Sequence, residues 1–255
     1  MVKQKPFTPV VGFFKGPNGK TRPITQRKQT SLLQPRTVTR VKNAPSKPRS
    51  KKLKIVTRVK TKGFPYSTPR RVKPMMANRG TEQDLDRPGY IAERKYDGTR
   101  VVVIRDGDRV ILRGRSWKND FASRYPELVE EIRRFPCKQF VADAELTFFK
   151  KGTDEDVMLT ALAKPSTQKL YDLKLMFFDV LHIGTLDVTG QPIERRFQKL
   201  KGLIPKKGLK IVDIVEVAMQ NQKRFYQDIV KKNGEGVMLK RLGSTYQEHA
   251  RNNDW

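Results

Sequence analysis

Apolar and polar positions alternate along much of the chain from residue 90 onward. Residues 90–95 and 101–105 read as strands on either side of an Asp97-Gly98 bend. Asp106-Gly107-Asp108 marks a turn between 101–104 and 110–112, so the region opens as an antiparallel arrangement. Residues 126–132 switch to helical spacing, 139–149 return to strand, and 173–181 read as a buried strand. Two further helical patterns cover 194–203 and 221–232, the second stopped by Asn233-Gly234 just ahead of a strand at 237–240. The pattern predicts an α+β fold built on antiparallel sheets.

Residues 1–74 show no such periodicity. They carry 21 Lys and Arg and no Asp or Glu, which accounts for most of the +28 formal charge of the 255-residue chain. Rich in proline and poor in aliphatic clusters, this stretch cannot offset its ordering entropy by burial, so 1–73 is expected to be a disordered basic arm and 74–255 the folded domain. The charge suits a polyanion, and phosphate-backbone contact with DNA is the expected use. A solvated segment with no dedicated role, a nuclear address at 47–54 and a transit peptide are the competing readings. The segment 13–20 has the composition of a local turn.

A lone cysteine, Cys137, excludes an intrachain disulfide and a cysteine-rich zinc site, and His182 and His249 are too few for a histidine metal cluster. No apolar run approaches the roughly 18 residues of a spanning helix. An intracellular monomer that makes no membrane contact is expected, cytoplasmic, nuclear or viral according to its source.

The candidate chemistry centres on Glu93-Arg94-Lys95-Tyr96-Asp97-Gly98-Thr99-Arg100. A lysine becomes nucleophilic only when its amine is neutral, which desolvation or nearby positive charge favours. Arg94 and Arg100 are the expected sources of that field. Gly98 would admit a ligand close to the backbone, Asp97 would orient the site, and the planar fork of Arg100 suits a phosphate. A simple β-turn is the alternative reading of so short a stretch.

Further motifs follow in order: Arg113-Gly114-Arg115-Ser116, Asp143-Ala144-Glu145, Phe177-Phe178-Asp179-Val180-Leu181, and Glu235-Gly236-Val237-Met238-Leu239-Lys240. Together they resemble the nucleotidyltransferase (adenylation) domain of ATP-dependent DNA ligases, of archaeal and viral type. Its motifs read K-x-D-G, an arginine segment, D-G-E, F-D-x-L and E-G-x-M-x-K. The resemblance spans about 74–255, Pro74-Met75-Met76-Ala77 included, and implies an ATP-grasp-like α+β domain whose cleft between sheets binds ATP.

By this resemblance Lys95 attacks the α-phosphate of ATP and carries AMP, which passes to the 5′-phosphate of nicked double-stranded DNA. Glu145 and Glu235 contact ribose or hold Mg²⁺. Phe178 stacks on adenine, with Phe177 as competitor for that place, and Glu93 contributes its backbone nearby. Arg100 and Arg115 touch ribose or phosphate, and Lys240 completes the nucleotide set with Asp97 and Gly98. Asp143 and Asp179 are expected to be structural. Related RNA ligases and mRNA-capping guanylyltransferases share much of this set, and a noncatalytic basic DNA-binding protein is a further alternative.

Two departures stand out. Alanine replaces the middle glycine of the third motif, and the chain stops at Trp255, where the family continues into W-x-K-x-K and an OB-fold domain. The two lysines and that domain are therefore expected to be missing, as from a fragment of a longer ligase.

Overall fold

The computed structural model describes residues 72–158 and 169–255. Except for its last two residues, the expected basic arm lies outside them, as do the turn at 13–20 and the basic run at 47–54.

The first four strands are β1 (Tyr90–Lys95), β2 (Gly98–Asp106), β3 (Arg109–Gly114) and β4 (Gln139–Lys150). Then come β5 (Asp156–Val157), β6 (Tyr171–Ile183), β7 (Leu186–Asp187), β8 (Val212–Ile214), β9 (Val217–Ala218) and β10 (Gly236–Arg241). Among the described residues three α-helices join them: α1 (Pro126–Arg133), α2 (Ile193–Leu203) and α3 (Gln222–Lys231). The fold is α+β, and each long element falls where the hydrophobic pattern put it. Among the described residues no helix is long and apolar enough to cross a membrane.

Two sheets form. The larger runs β3-β2-β4-β6-β7 with β5 on β4 and β8 on β6, and the smaller runs β10-β1-β9. All of these pairings are antiparallel except β6 with β8. The Asp97-Gly98 bend that β1 and β2 flank does not pair them with each other. It carries the chain from the small sheet, where β1 pairs with β10 and β9, to the large one, where β2 pairs with β3 and β4.

Period-two alternation explains why the large sheet is covered on both faces. Val101 and Val103 of β2, with Phe140, Ala142 and Ala144 of β4, enter a core shared with α1 and α2. Val102, Ile104 and Val141 face the other way, against Met75, Leu181, Tyr246 and Trp255. Each large apolar side chain so buried contributes about 1.5–3 kcal/mol.

Buried ion pairs and caps lock these layers together. Arg105, on β2, donates to the carbonyls of Ile132, Arg133 and Phe135 at 2.8–2.9 Å and thereby satisfies the C-terminal end of α1. Glu131 accepts from the backbone N–H groups of Lys210, Ile211 and Val212. Asp179 holds Arg196 of α2 through two bonds of 2.8 and 2.9 Å, both side chains fully buried.

The small sheet has its own core. Ala92, Val237 and Leu239 pack with Tyr226 and Ile229 of α3. The opposite faces of β1 and β10 thus present Glu93, Lys95, Met238 and Lys240 to the space beside the large sheet, where all four line one cleft.

Candidate active site

That cleft encloses about 540 Å³. The small sheet supplies Glu93, Lys95 and Lys240, with Glu235 at the start of β10. The large sheet supplies Arg100, Glu145 and Phe178, while Asp97 and Gly98 cross between the two and Arg115 stands beyond β3. Every residue expected in the nucleotide site therefore lines this one cavity.

Lys95 lies at the end of β1, opposite Gly236 in register, and its ammonium is ion-paired to Glu235. The chain can turn sharply from α3 into Glu235 because Gly234 has no Cβ. A Cβ there would come within 2.5 Å of the Ile229 side chain. Burial raises the Glu235 carboxyl above its ordinary range, and Lys95 opposes the shift. Glu145 is pushed up to about 8 by burial, with Arg100 and Lys95 pulling it back. Among the described residues no group of three His, Cys, Asp or Glu side chains is arranged to hold a metal ion.

Glu93 and Lys240 form a second, deeper pair at 2.6 Å with side-chain exposures of 2% and 1%. Glu93 is pushed up to about 7, burial outweighing the attraction of Lys240. Its Oε1 is buried without a hydrogen-bond partner, as is the indole N–H of Trp255 on the same cleft. The Lys240 ammonium sits 4.8 Å from the centre of the Phe178 ring and 4.2 Å from that of Trp255.

Phe177 is fully buried in the α1/α2 core and Phe178 faces the cleft. Strand alternation sends these adjacent rings to opposite faces, and a β-bulge lies at the same point: Asp143 pairs with Asp179 but Ala144 pairs with Phe177, so Phe178 has no residue opposite it.

Three sequence expectations change. The fork of Arg100 is turned inward, donating to Asp143 at 3.0 and 2.5 Å and to the Met75 carbonyl at 2.5 Å, so it is a wall of the cleft and not a free phosphate grip. Asp143 also accepts from Tyr246 at 2.6 Å, which fits its expected structural role. Arg94 is buried against Asp156 and Glu216 and its charge is spent there instead of acting on Lys95. Gly98 serves strand packing: a Cβ would meet Leu146 O at 2.5 Å and Glu145 Cγ at 2.9 Å, so the close approach is to β4. Arg115, by contrast, is exposed and has no ion pair among the described residues.

The cleft also includes residues that sequence reasoning left without a role. Met238 lies two positions before Lys240, and strand alternation was a usable signal for it. Met76 and Trp255 meet because the lead-in segment docks on the last residues, Met76 N–H bonding Ala250 O and Asn78 N–H bonding Trp255 O. No local pattern announces that pairing.

A family model described as the ATP dependent DNA ligase domain matches residues 74–255. The chain belongs to this ligase family. Curated relatives include "DNA ligase 2" of Thermofilum pendens, 27% identical over 72% of this chain, and "Probable DNA ligase" of Mycobacterium avium, 29% identical over 75%. The chain spans only 33% and 38% of the lengths of these two relatives. Among solved structures, the ligase domain of M. tuberculosis LigD aligns with TM-score 0.58 at 23% identity, covering 72% of this chain and 59% of its own. A mycobacterial DNA ligase D complexed with ATP and MES aligns at 0.55 and 23%, covering 72% and 58%. These two structures share the fold of this ligase domain.

Proposed function

We propose that this chain is the adenylation module of an ATP-dependent DNA ligase, forming a lysyl-AMP at Lys95 and passing the AMP to the 5′-phosphate of nicked duplex DNA. The observation that carries the reading is the cleft itself, in which the Lys95 ammonium meets Glu235 beside Glu145 and the Phe178 ring.

In the first step the Lys95 ammonium gives up its proton, and Glu235 is the carboxylate in contact with it. The freed lone pair forms a P–N bond at the α-phosphorus, while the bond from that phosphorus to the pyrophosphate oxygen breaks and pyrophosphate leaves. In the second, a DNA 5′-phosphate oxygen displaces the lysine nitrogen, which frees Lys95. Phe178 offers an apolar face to adenine. The unpartnered Glu93 Oε1 suits the exocyclic amine of the base.

Glu145 and Glu235, two carboxyls of one cleft that burial makes costly to charge, would be the residues that hold Mg²⁺. The ion would supply neutralisation of charge on the phosphates. Arg115 is the cleft arginine with its fork available for phosphate. The basic residues 1–73 would add salt-sensitive backbone contact to a monomer on DNA.

Intact mass after incubation with Mg²⁺ and ATP or GTP tests the proposal. The expected result is an AMP increment from ATP that Lys95→Ala abolishes. No increment, or one that survives Lys95→Ala, overturns it, and a GMP increment instead assigns the chain to capping chemistry.

A further inference from the structure

Lys95 touches Glu235 through its side chain, but its backbone is fixed from elsewhere. Arg94, immediately before it, donates to Asp156 Oδ1 at 2.9 Å and to the Asp154 carbonyl at 2.6 Å. Two residues after it, the Asp97 N–H donates to Asp156 Oδ2 at 2.5 Å. The two oxygens of one fully buried carboxylate thus bracket the lysine. Neighbouring bonds extend the clasp: Glu216 accepts from Arg94 at 3.0 Å and from the Tyr96 hydroxyl at 3.4 Å, and Thr147 donates to the Asp97 carbonyl at 2.6 Å.

Asp156 belongs to β5, which pairs with β4 of the large sheet, whereas Lys95 ends β1 of the small one. Glu145 lies on β4 and Phe178 on the neighbouring β6. One carboxylate therefore ties the strand carrying the lysine to the sheet carrying the nucleotide shelf. An ion pair serving stability alone would need only Arg94. The bond to the Asp97 amide additionally fixes the turn that aims Lys95.

We infer that Asp156 is a positioning residue for the Lys95 nucleophile, setting its backbone against the Glu145 and Phe178 side of the cleft. The inference rests on the proposed role of Lys95. A misplacement of about 1 Å at a reacting centre can cost on the order of 100-fold in rate, whereas nucleotide binding depends less on where the lysine points.

The test is single-turnover adenylation of the full chain at varied ATP, followed by intact mass, with amide hydrogen exchange at residues 96–98. Asp156→Ala should slow the maximal rate by about 100-fold, and near-isosteric Asp156→Asn by about 10-fold. Half-saturation by ATP should shift less than about 3-fold and exchange at the Asp97 amide should speed up. Lys232→Ala removes the exposed pair with Asp154 on the same turn and should leave the rate within about 2-fold. Asp156→Asn stands as the deciding variant if Asp156→Ala does not fold. A wild-type maximal rate in Asp156→Asn, or a loss confined to half-saturation, overturns this inference alone. Absence of any adduct in the wild-type chain overturns the proposed function and this inference with it.

Discussion

The two sheets divide their labour unequally. The large sheet is apolar on both faces, and its buried charges are matched inside the frame, Asp179 with Arg196 and Asp143 with Arg100. The small sheet has one apolar face, packed on α3, and turns Glu93, Lys95 and Lys240 into the cleft. The difference teaches that the charges offered to a ligand are concentrated on the smaller, less deeply packed sheet, while the large sheet supplies rigidity, an aromatic shelf and one acid.

The sharpest test of that division lies in two adjacent phenylalanines of β6. Phe177→Ala should destabilise the domain by about 3–5 kcal/mol, because it empties the α1/α2 core. Phe178→Ala should cost much less stability but weaken adenine nucleotide binding by about 1–3 kcal/mol, the usual worth of a stacked base. Urea melts and nucleotide titration of the two variants check both halves. Equal stability losses would erase the distinction.

On the small sheet, Lys240→Met leaves Glu93 buried without its partner. The loss should be about 2 kcal/mol, below the 3–5 kcal/mol typical of a broken buried pair, because Glu93 is already pushed up to about 7 and can take a proton. Pairing Lys240→Met with Glu93→Gln should restore most of it, and melting curves of the single and double variants measure the coupling.

Stability should also depend on pH in a definite direction. Glu93 and Glu145 ionise at about 7 and about 8 in the folded chain against 4.5 for an unperturbed glutamate, so between those values the folded state binds the extra protons. Their contribution therefore falls as pH rises from 4.5 to about 8. Glu145→Gln should flatten the limb between about 7 and about 8, as read by melting temperature across pH.

The smallest stability effect is expected at Arg115, exposed at the cleft. Arg115→Ala should change stability by less than about 0.5 kcal/mol while reducing retention of nucleotide or DNA phosphate. A large stability loss would mean that its fork is engaged inside the fold as Arg100's is.

Much of this was legible locally. The strands at 90–95, 139–149 and 173–181 and the helices at 126–132, 194–203 and 221–232 follow from side-chain periodicity, which depends only on near neighbours along the chain. Glu93 with Lys95, and Met238 with Lys240, share strand faces for the same reason. The destination of the Arg100 fork was not legible, because Asp143 lies 43 residues away and Met75 25. Nor was the pairing of Arg94 with Asp156, 62 residues apart.

By itself, then, the sequence determined the elements, the resemblance to ligases, and the short set of residues from which a site could be made. Tertiary structure alone decided that the Asp97-Gly98 bend joins two sheets, that Phe178 and not Phe177 faces the cleft, and that Arg100 and Arg94 are spent on internal carboxylates. The physical reason is that periodicity is a property of neighbouring residues. Which carboxylate neutralises which arginine, and which strand lies beside which, are settled only when distant segments meet and bury their charges together.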